Sequence, residues 1–227
     1  MKVFLFGATG MVGQGVLREC LLDAGVESVL AIGRRETGKR DNKLRELVHK
    51  DFTDYSVIED KLSGFDACFF CLGVSAVGMS EKDYAHVTYE FTMAAARTLA
   101  KLNPGMTFVY VSGMGTDSTE HGRMMWARVK GWTENELLKL PFKAAYMFRP
   151  GFIQPMHGAV SSTWMTRTFN RVSGPIFPIL KTLFPKYVTT TELVGRAMIH
   201  VARQGAAKRV LENQDINGIG GSSKSSG

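Results

Sequence analysis

The chain is poor in cysteine and has no long apolar run. Three cysteines among 227 residues are too few, and odd in number, for a disulfide framework, so a reducing compartment is expected. No uncharged stretch approaches the roughly 18–20 apolar residues that cross a bilayer. The N-terminal run Val3-Phe4-Leu5-Phe6 breaks at Gly7, short of the roughly 7–15 residues of a secretory signal. The expectation is a fold that begins at residue 2, in the cytoplasm. Lysines and arginines never cluster into a run, although 28 basic residues face 21 acidic ones for a net charge of +7. That balance suits small anionic ligands and argues against nucleic acid as a partner. The histidines, at positions 49, 86, 121, 157 and 200, form no ligand-spaced set, so no metal is expected. No repeat of 20–50 residues is visible.

What is present is an alternation. Near-continuous apolar runs at residues 3–6, 28–32, 46–49, 66–72, 106–112 and 144–148 read as strands. Between them lie helical patterns. Val12, Val16 and Cys20, with Leu17 and Leu21, recur at four-residue spacing and mark a helix ending near Gly25. Further helices are predicted over residues 81–102, stopped by Asn103-Pro104-Gly105, and over 124–140, closed by Pro141. A last helix over about 190–203 has Thr189 as its cap. Strand–helix alternation of this kind predicts an α/β, Rossmann-type, doubly wound parallel sheet. Residues 1–150 would form this core and 151–212 a lid and a C-terminal helix on the same domain. Residues 213–227, ending in a Gly/Ser stretch from Gly220, read as a flexible tail.

Gly7-Ala8-Thr9-Gly10-Met11-Val12-Gly13 lies directly between the first strand and its helix. Glycines there permit a tight turn and close approach of backbone N–H groups to a pyrophosphate, which the helix N-terminus favours electrostatically. The spacing is one residue longer than the usual dinucleotide fingerprint. Where NAD-preferring folds carry an acid for the ribose 2′-hydroxyl, this chain has Gly33-Arg34-Arg35. Two guanidiniums suit a 2′-phosphate, so NADP(H) is expected in preference to NAD(H). Asp51-Phe52 follows the third strand and is placed to meet the adenine. Cys68-Phe69-Phe70-Cys71 reads as core thiols, because residues three apart on a strand point to opposite faces.

Together these features resemble the short-chain dehydrogenase/reductase superfamily, and within it the atypical NAD(P)-binding members related to epimerases. The resemblance spans residues 1–212. It rests on Gly7, Gly10 and Gly13, on Asp51, on Cys71-Leu72-Gly73, on Val109-Tyr110-Val111-Ser112, on Lys130-Gly131 and on Arg149-Pro150-Gly151. It implies that Gly7, Thr9, Gly10, Met11, Val12, Gly13, Leu72, Gly73, Lys130 and Pro150 hold the cofactor. It also implies a catalytic Tyr-x-x-x-Lys with a serine before it. Here the motif reads Trp126-Ala127-Arg128-Val129-Lys130. The lysine is kept, and an indole that cannot release a proton near neutral pH replaces the phenol. The serine position falls near Ser112 or Gly113. Tyr110, Ser118 and His121 are further groups that could replace the lost acid.

Residues 151–187 mix prolines with Trp164, Phe169, Phe177 and Phe184 and with Arg167, Arg171, Lys181 and Lys186. They are expected to form a small irregular helical lid over an apolar small-molecule substrate. Lying on an anionic membrane surface is the less favoured alternative. The sequence specifies no oligomeric state. The expected function is a reductase or epimerase of an apolar carbonyl or alcohol; the alternative is a catalytically silent NADPH-binding regulatory or partner-binding protein.

Overall fold

Each apolar run becomes a parallel strand. The computed structural model describes residues 1–159 and 185–222. Its strands are β1 (Lys2–Phe6), β2 (Ser28–Gly33), β3 (Leu44–Val48), β4 (Ala67–Phe70), β5 (Thr107–Val111), β6 (Ala144–Arg149), β7 (Phe152–Gln154), β8 (Val188–Thr190) and β9 (Val210–Glu212). Seven of them form one sheet in the order β3-β2-β1-β4-β5-β6-β9, and β7 pairs with β8 in a small second sheet. Every pairing is parallel.

Side-chain alternation along the strands divides the core in two. Val3, Leu5, Val29, Phe69, Val109 and Phe148 face one side of the sheet. They are covered there by α1 (Met11–Leu22), α5 (Thr191–Gln204) and α6 (Asn213–Ser222). Phe4, Phe6, Ile32, Phe70, Phe108 and Met147 face the other side. Their cover is α3 (Phe91–Leu102), the end of α4 (Met125–Leu138) and the 3-10 turn Ser56–Lys61. A fully buried side chain of this size stabilises by roughly 1.5–3 kcal/mol, so strands apolar on both faces need two layers of helix. Cys68 and Cys71 fall into opposite clusters, as their spacing requires.

The helical run at 81–102 is α2 (Glu81–Ala85), one π turn (His86–Glu90) and α3 in succession. It is started by Ser80, whose hydroxyl accepts the Asp83 N–H at 3.1 Å. Several boundaries differ from expectation. β3 spans Leu44–Val48 rather than 46–49. The cap of α5 is Thr190, accepting the Leu193 N–H at 3.1 Å, so the helix starts one residue later than expected. The expected flexible tail is corrected over most of its length: residues 213–222 are α6, packed beside α5. The lid expected over 151–187 lies largely outside the described residues. Its described flanks are β7, a 3-10 turn (Pro185–Tyr187) and β8.

Candidate cofactor and catalytic site

The strand order reverses at β1. The chain builds β2 and β3 to one side of it and β4, β5 and β6 to the other, so the loops after β1 and β4 diverge and leave a crevice at the strand C-termini. The crevice is a cleft of about 540 Å³. Its floor is the turn at residues 7–10; Arg34 and Arg35 stand at one wall, and Leu72 and Gly73 at the other.

The turn tolerates no side chains at its two ends. Gly7 has φ +77°, and a methyl group on it would lie 2.6 Å from the Cys71 carbonyl oxygen. A methyl group on Gly13 would lie 2.1 Å from the Gly7 oxygen. The first turn of α1 therefore rests directly on the β1 loop. Gly10 is the N-cap of α1, and neither a capping side chain nor an acid occupies that end of the helix. Burial pushes the Cys71 thiol upward, so it stays protonated beside the turn.

Among the expected cofactor residues, Gly7, Thr9, Gly10, Arg34, Arg35, Phe52, Leu72 and Gly73 line this cleft. Arg34 and Arg35 are both exposed, and among the described residues neither forms a salt bridge. Met11, Val12 and Gly13 form the start of α1 behind the turn and are not part of the lining. Asp51, expected at the adenine, is exposed and is not among the lining residues. Its carboxylate is turned back locally, accepting the Thr53 N–H at 2.9 Å and the Thr53 hydroxyl at 2.5 Å. Pro150 is buried after β6, away from the cleft lining, and its carbonyl accepts the Met114 N–H at 2.9 Å.

Among the lining residues not foreseen are Val74, Val87 and Phe91. Phe91 stacks on Phe52 at 5.7 Å, extending an apolar wall. Val87 lies within the π turn and Phe91 directly follows it. A single inserted residue inside a helix leaves no periodicity signal, so a single sequence could not have placed them.

The second half of the site lies at the end of β5. Lys130 on α4 is partly buried and its ammonium donates to the Ser112 carbonyl. Burial pushes its pKa down to about 8, against the opposing pull of the Glu134 carboxylate. Ser112 does not have the free hydroxyl that a catalytic serine needs. Its Oγ is 2.5 Å from Glu134 Oε1 and 3.0 Å from the Phe148 carbonyl, at 5% exposure. With one proton to give, that hydroxyl is committed inside the fold. Trp126 packs its six-membered ring over Gly115.

The group that organises this end is an ion pair that sequence reasoning missed. Glu134 is 1% exposed. Arg149 Nε lies 3.1 and 3.2 Å from its two oxygens, and Nη2 also donates to Oε2. The guanidinium further reaches Ser118 Oγ at 2.5 Å and Glu212 Oε1 at 3.3 Å. A carboxylate four residues after Lys130 and an arginine ending an apolar strand were the available signals. Read singly, each looked like surface chemistry or part of a motif.

Comparisons with known proteins come to the same fold. The profile of the NAD dependent epimerase/dehydratase family matches residues 3–120. "Protein FMP52, mitochondrial" of Debaryomyces hansenii is 27% identical over 210 residues, covering 90% of this chain and 88% of its own length. "Protein HTATIP2" of Rattus norvegicus is 25% identical over 231 residues, covering 96% and 89%. Among solved structures, the Bordetella bronchiseptica enzyme WbmF in complex with NAD+ superposes with a TM-score of 0.67 at 17% identity, covering 100% of this chain and 79% of that one. MoeE5 in complex with UDP-glucose and NAD gives 0.66 at 17%, covering 93% and 75%. The expectation of a cytoplasmic protein is corrected by these names: the fungal relatives from Debaryomyces hansenii, Scheffersomyces stipitis and Chaetomium globosum are called mitochondrial. Among the described residues no helix is long and apolar enough to cross a membrane.

Proposed function

Because the chain belongs to the NAD dependent epimerase/dehydratase family, we propose that it binds NADP(H) in the crevice beside β1 and works as a reductase or epimerase on a small apolar carbonyl or alcohol. The observation that carries the cofactor choice is two unpaired arginines, Arg34 and Arg35, in the same cleft as the glycine turn. The cleft fits the group on two counts. Its volume lies within the usual range of roughly 300–1,000 Å³ for ligand sites. Its floor is also a bare backbone turn at a helix N-terminus, with no side chain occupying the place of an anion.

In this reading the turn from Gly7 to Gly10 receives the pyrophosphate, and Arg34 and Arg35 receive the 2′-phosphate. Phe52 and Leu72 flank the adenine, while Lys130 stands at the nicotinamide end. The bound cofactor supplies or accepts hydride; binding, orientation and proton movement fall to the protein. Residues 1–150 are then the cofactor-binding part, and 151–212 carry the substrate side. Each charge-assisted contact to the 2′-phosphate should contribute roughly 1.5–3 kcal/mol. Arg34→Ala is therefore expected to weaken NADPH by about tenfold or more and to leave NADH nearly unchanged, as read by fluorescence titration. Equal loss for both cofactors would overturn the assignment.

One observation favours a second reading. With Trp126 in the phenol position and the Ser112 hydroxyl committed to Glu134, the familiar acid is gone. A catalytically silent NADPH-binding regulator fits that absence. Assay against a panel of carbonyls separates the two: NADPH binding with no turnover, unaffected by Lys130→Ala, selects the regulator.

A further inference from the structure

Five side chains near the end of β5 are buried, tied into the fold or unable to ionise near neutral pH. Trp126 offers an indole N–H that does not ionise near neutral pH. The Ser112 hydroxyl lies between Glu134 Oε1 and the Phe148 carbonyl. Thr116 donates to the Gly113 carbonyl at 2.7 Å, and Ser118 lies 2.5 Å from Arg149 Nη2. Tyr110 is 1% exposed within the sheet core, where burial pushes its phenol further up. His121, on the loop that follows, is exposed.

Lys130 is different. An ammonium carries three N–H bonds, and among the described residues this group donates to the Ser112 carbonyl alone. Its nitrogen lies beside Gly113, whose φ is +147° and where even an added methyl group would come no closer than 3.9 Å. Gly113 itself carries no side chain to cover the nitrogen.

We propose that Lys130 is itself the general acid–base of this site, standing in for the missing phenol, with the buried Glu134–Arg149 pair as positioning residues that set its charge. This rests on the NADP(H)-dependent reading above. In the reducing direction hydride from the cofactor bonds to the carbonyl carbon while the π electrons pass to oxygen. An Nζ–H bond of Lys130 breaks as the new O–H bond forms, and the nitrogen keeps the electron pair as a neutral amine. Water then returns the proton. Oxidation runs the same transfers backward.

The surroundings suit that duty. The groups facing the amine are Glu134 from its own helix and the Ser112 carbonyl just after β5, with Arg149 from β6 acting through Glu134. Glu212 of β9 partly balances Arg149. Burial outweighs the single nearby carboxylate, and a lysine with a pKa of about 8 can give and take protons near neutrality.

The test has two arms. In the cofactor-free protein, lysines are labelled with trace acetic anhydride across about pH 6 to 11, and labelling at Lys130 is followed by mass spectrometry. The expected midpoint is about 8, against about 10.4 for an ordinary lysine. Glu134→Gln should move it lower, because the charge that favours the ammonium is removed. In the second arm, NADPH-dependent carbonyl reduction should fall as pH rises through the same midpoint. Lys130→Arg should keep NADPH binding and lose at least about 10²-fold in rate, because a guanidinium does not release its proton. A midpoint near 10.4, or a Lys130→Arg protein that retains its rate, overturns the proposal alone. Failure of the wild-type protein to bind NADPH overturns the underlying reading and this proposal with it.

Discussion

Glu134→Ala is expected to lower the stability of the folded protein by about 3–5 kcal/mol, the usual cost of stripping one partner from a buried ion pair. The glutamate is 1% exposed and the Arg149 side chain 11%. Among the described residues, removing the carboxylate leaves the guanidinium with Glu212 at 3.3 Å and Ser118 at 2.5 Å, and it also removes an acceptor from the Ser112 hydroxyl. For a chain of this length each kcal/mol moves the melting temperature by roughly 2–4 °C, so the melt should fall by about 10 °C. Glu134→Gln keeps one acceptor and should lose less. Replacing both partners, Glu134→Leu with Arg149→Met, should recover much of the loss, since an apolar pair of similar volume needs no desolvation. A Glu134→Ala melt within about 2 °C of the wild type would mean that the pair is solvated and holds nothing.

Trp126→Tyr is expected to raise the rate of carbonyl reduction measurably, as the new phenol takes over proton donation from Lys130. A positioned general acid contributes typically about 10²–10⁴-fold, and the new phenol would stand on the face of α4 that Lys130 shares at four-residue spacing. Beside the ammonium the phenol pKa should fall, and the lysine would pass from donating the proton itself to tuning its neighbour. The indole lies over Gly115 and is larger than a phenol, so the swap leaves a gap and no clash. Stability should fall by no more than about 1.5 kcal/mol. A well-folded, NADPH-binding Trp126→Tyr protein with no gain on any carbonyl would mean that the site serves another purpose than reduction.

The parallel sheet was legible because its strands are apolar on both faces, a pattern that burial between two helical layers imposes. The glycine turn was legible for a similar reason. At Gly7 and Gly13 geometry leaves no room for any other residue, so the sequence has to record the contact. The C-terminal helix was hidden by the same kind of residue. α6 contains Gly218, Gly220 and Gly221, a composition that reads as linker. Yet a methyl group on Gly220 would lie 2.3 Å from the Leu193 carbonyl oxygen, so that glycine serves close packing against α5. Asn213 and Asn217 of the same helix donate to the Val188 carbonyl at 3.0 and 2.8 Å and hold β8 in place. Tertiary contact overrides weak local propensity here.

The site divides along the same line. Arg34, Arg35, Phe52 and Leu72 could be read from their distance after particular strands, and all four line the cleft. Asp51, next to Phe52, lies outside the lining and spends one carboxylate oxygen on Thr53, a local bond that an Asp-x-Thr sequence favours. Ser112 follows β5, but the bond of its hydroxyl to Glu134 was not legible, because the two are distant in sequence and meet only when α4 packs on β5 and β6. Pairings of that kind leave no spacing to find.

We propose that this chain keeps a working NADP(H) site although the usual phenol is absent. Calorimetric titration of the purified protein with NADPH and with NADH tests it most directly. The expected result is saturable, one-to-one binding of NADPH at least about tenfold tighter than NADH, the difference that one charge-assisted contact to a 2′-phosphate supplies. No saturable binding of either nucleotide, or NADH bound as tightly as NADPH, would contradict it.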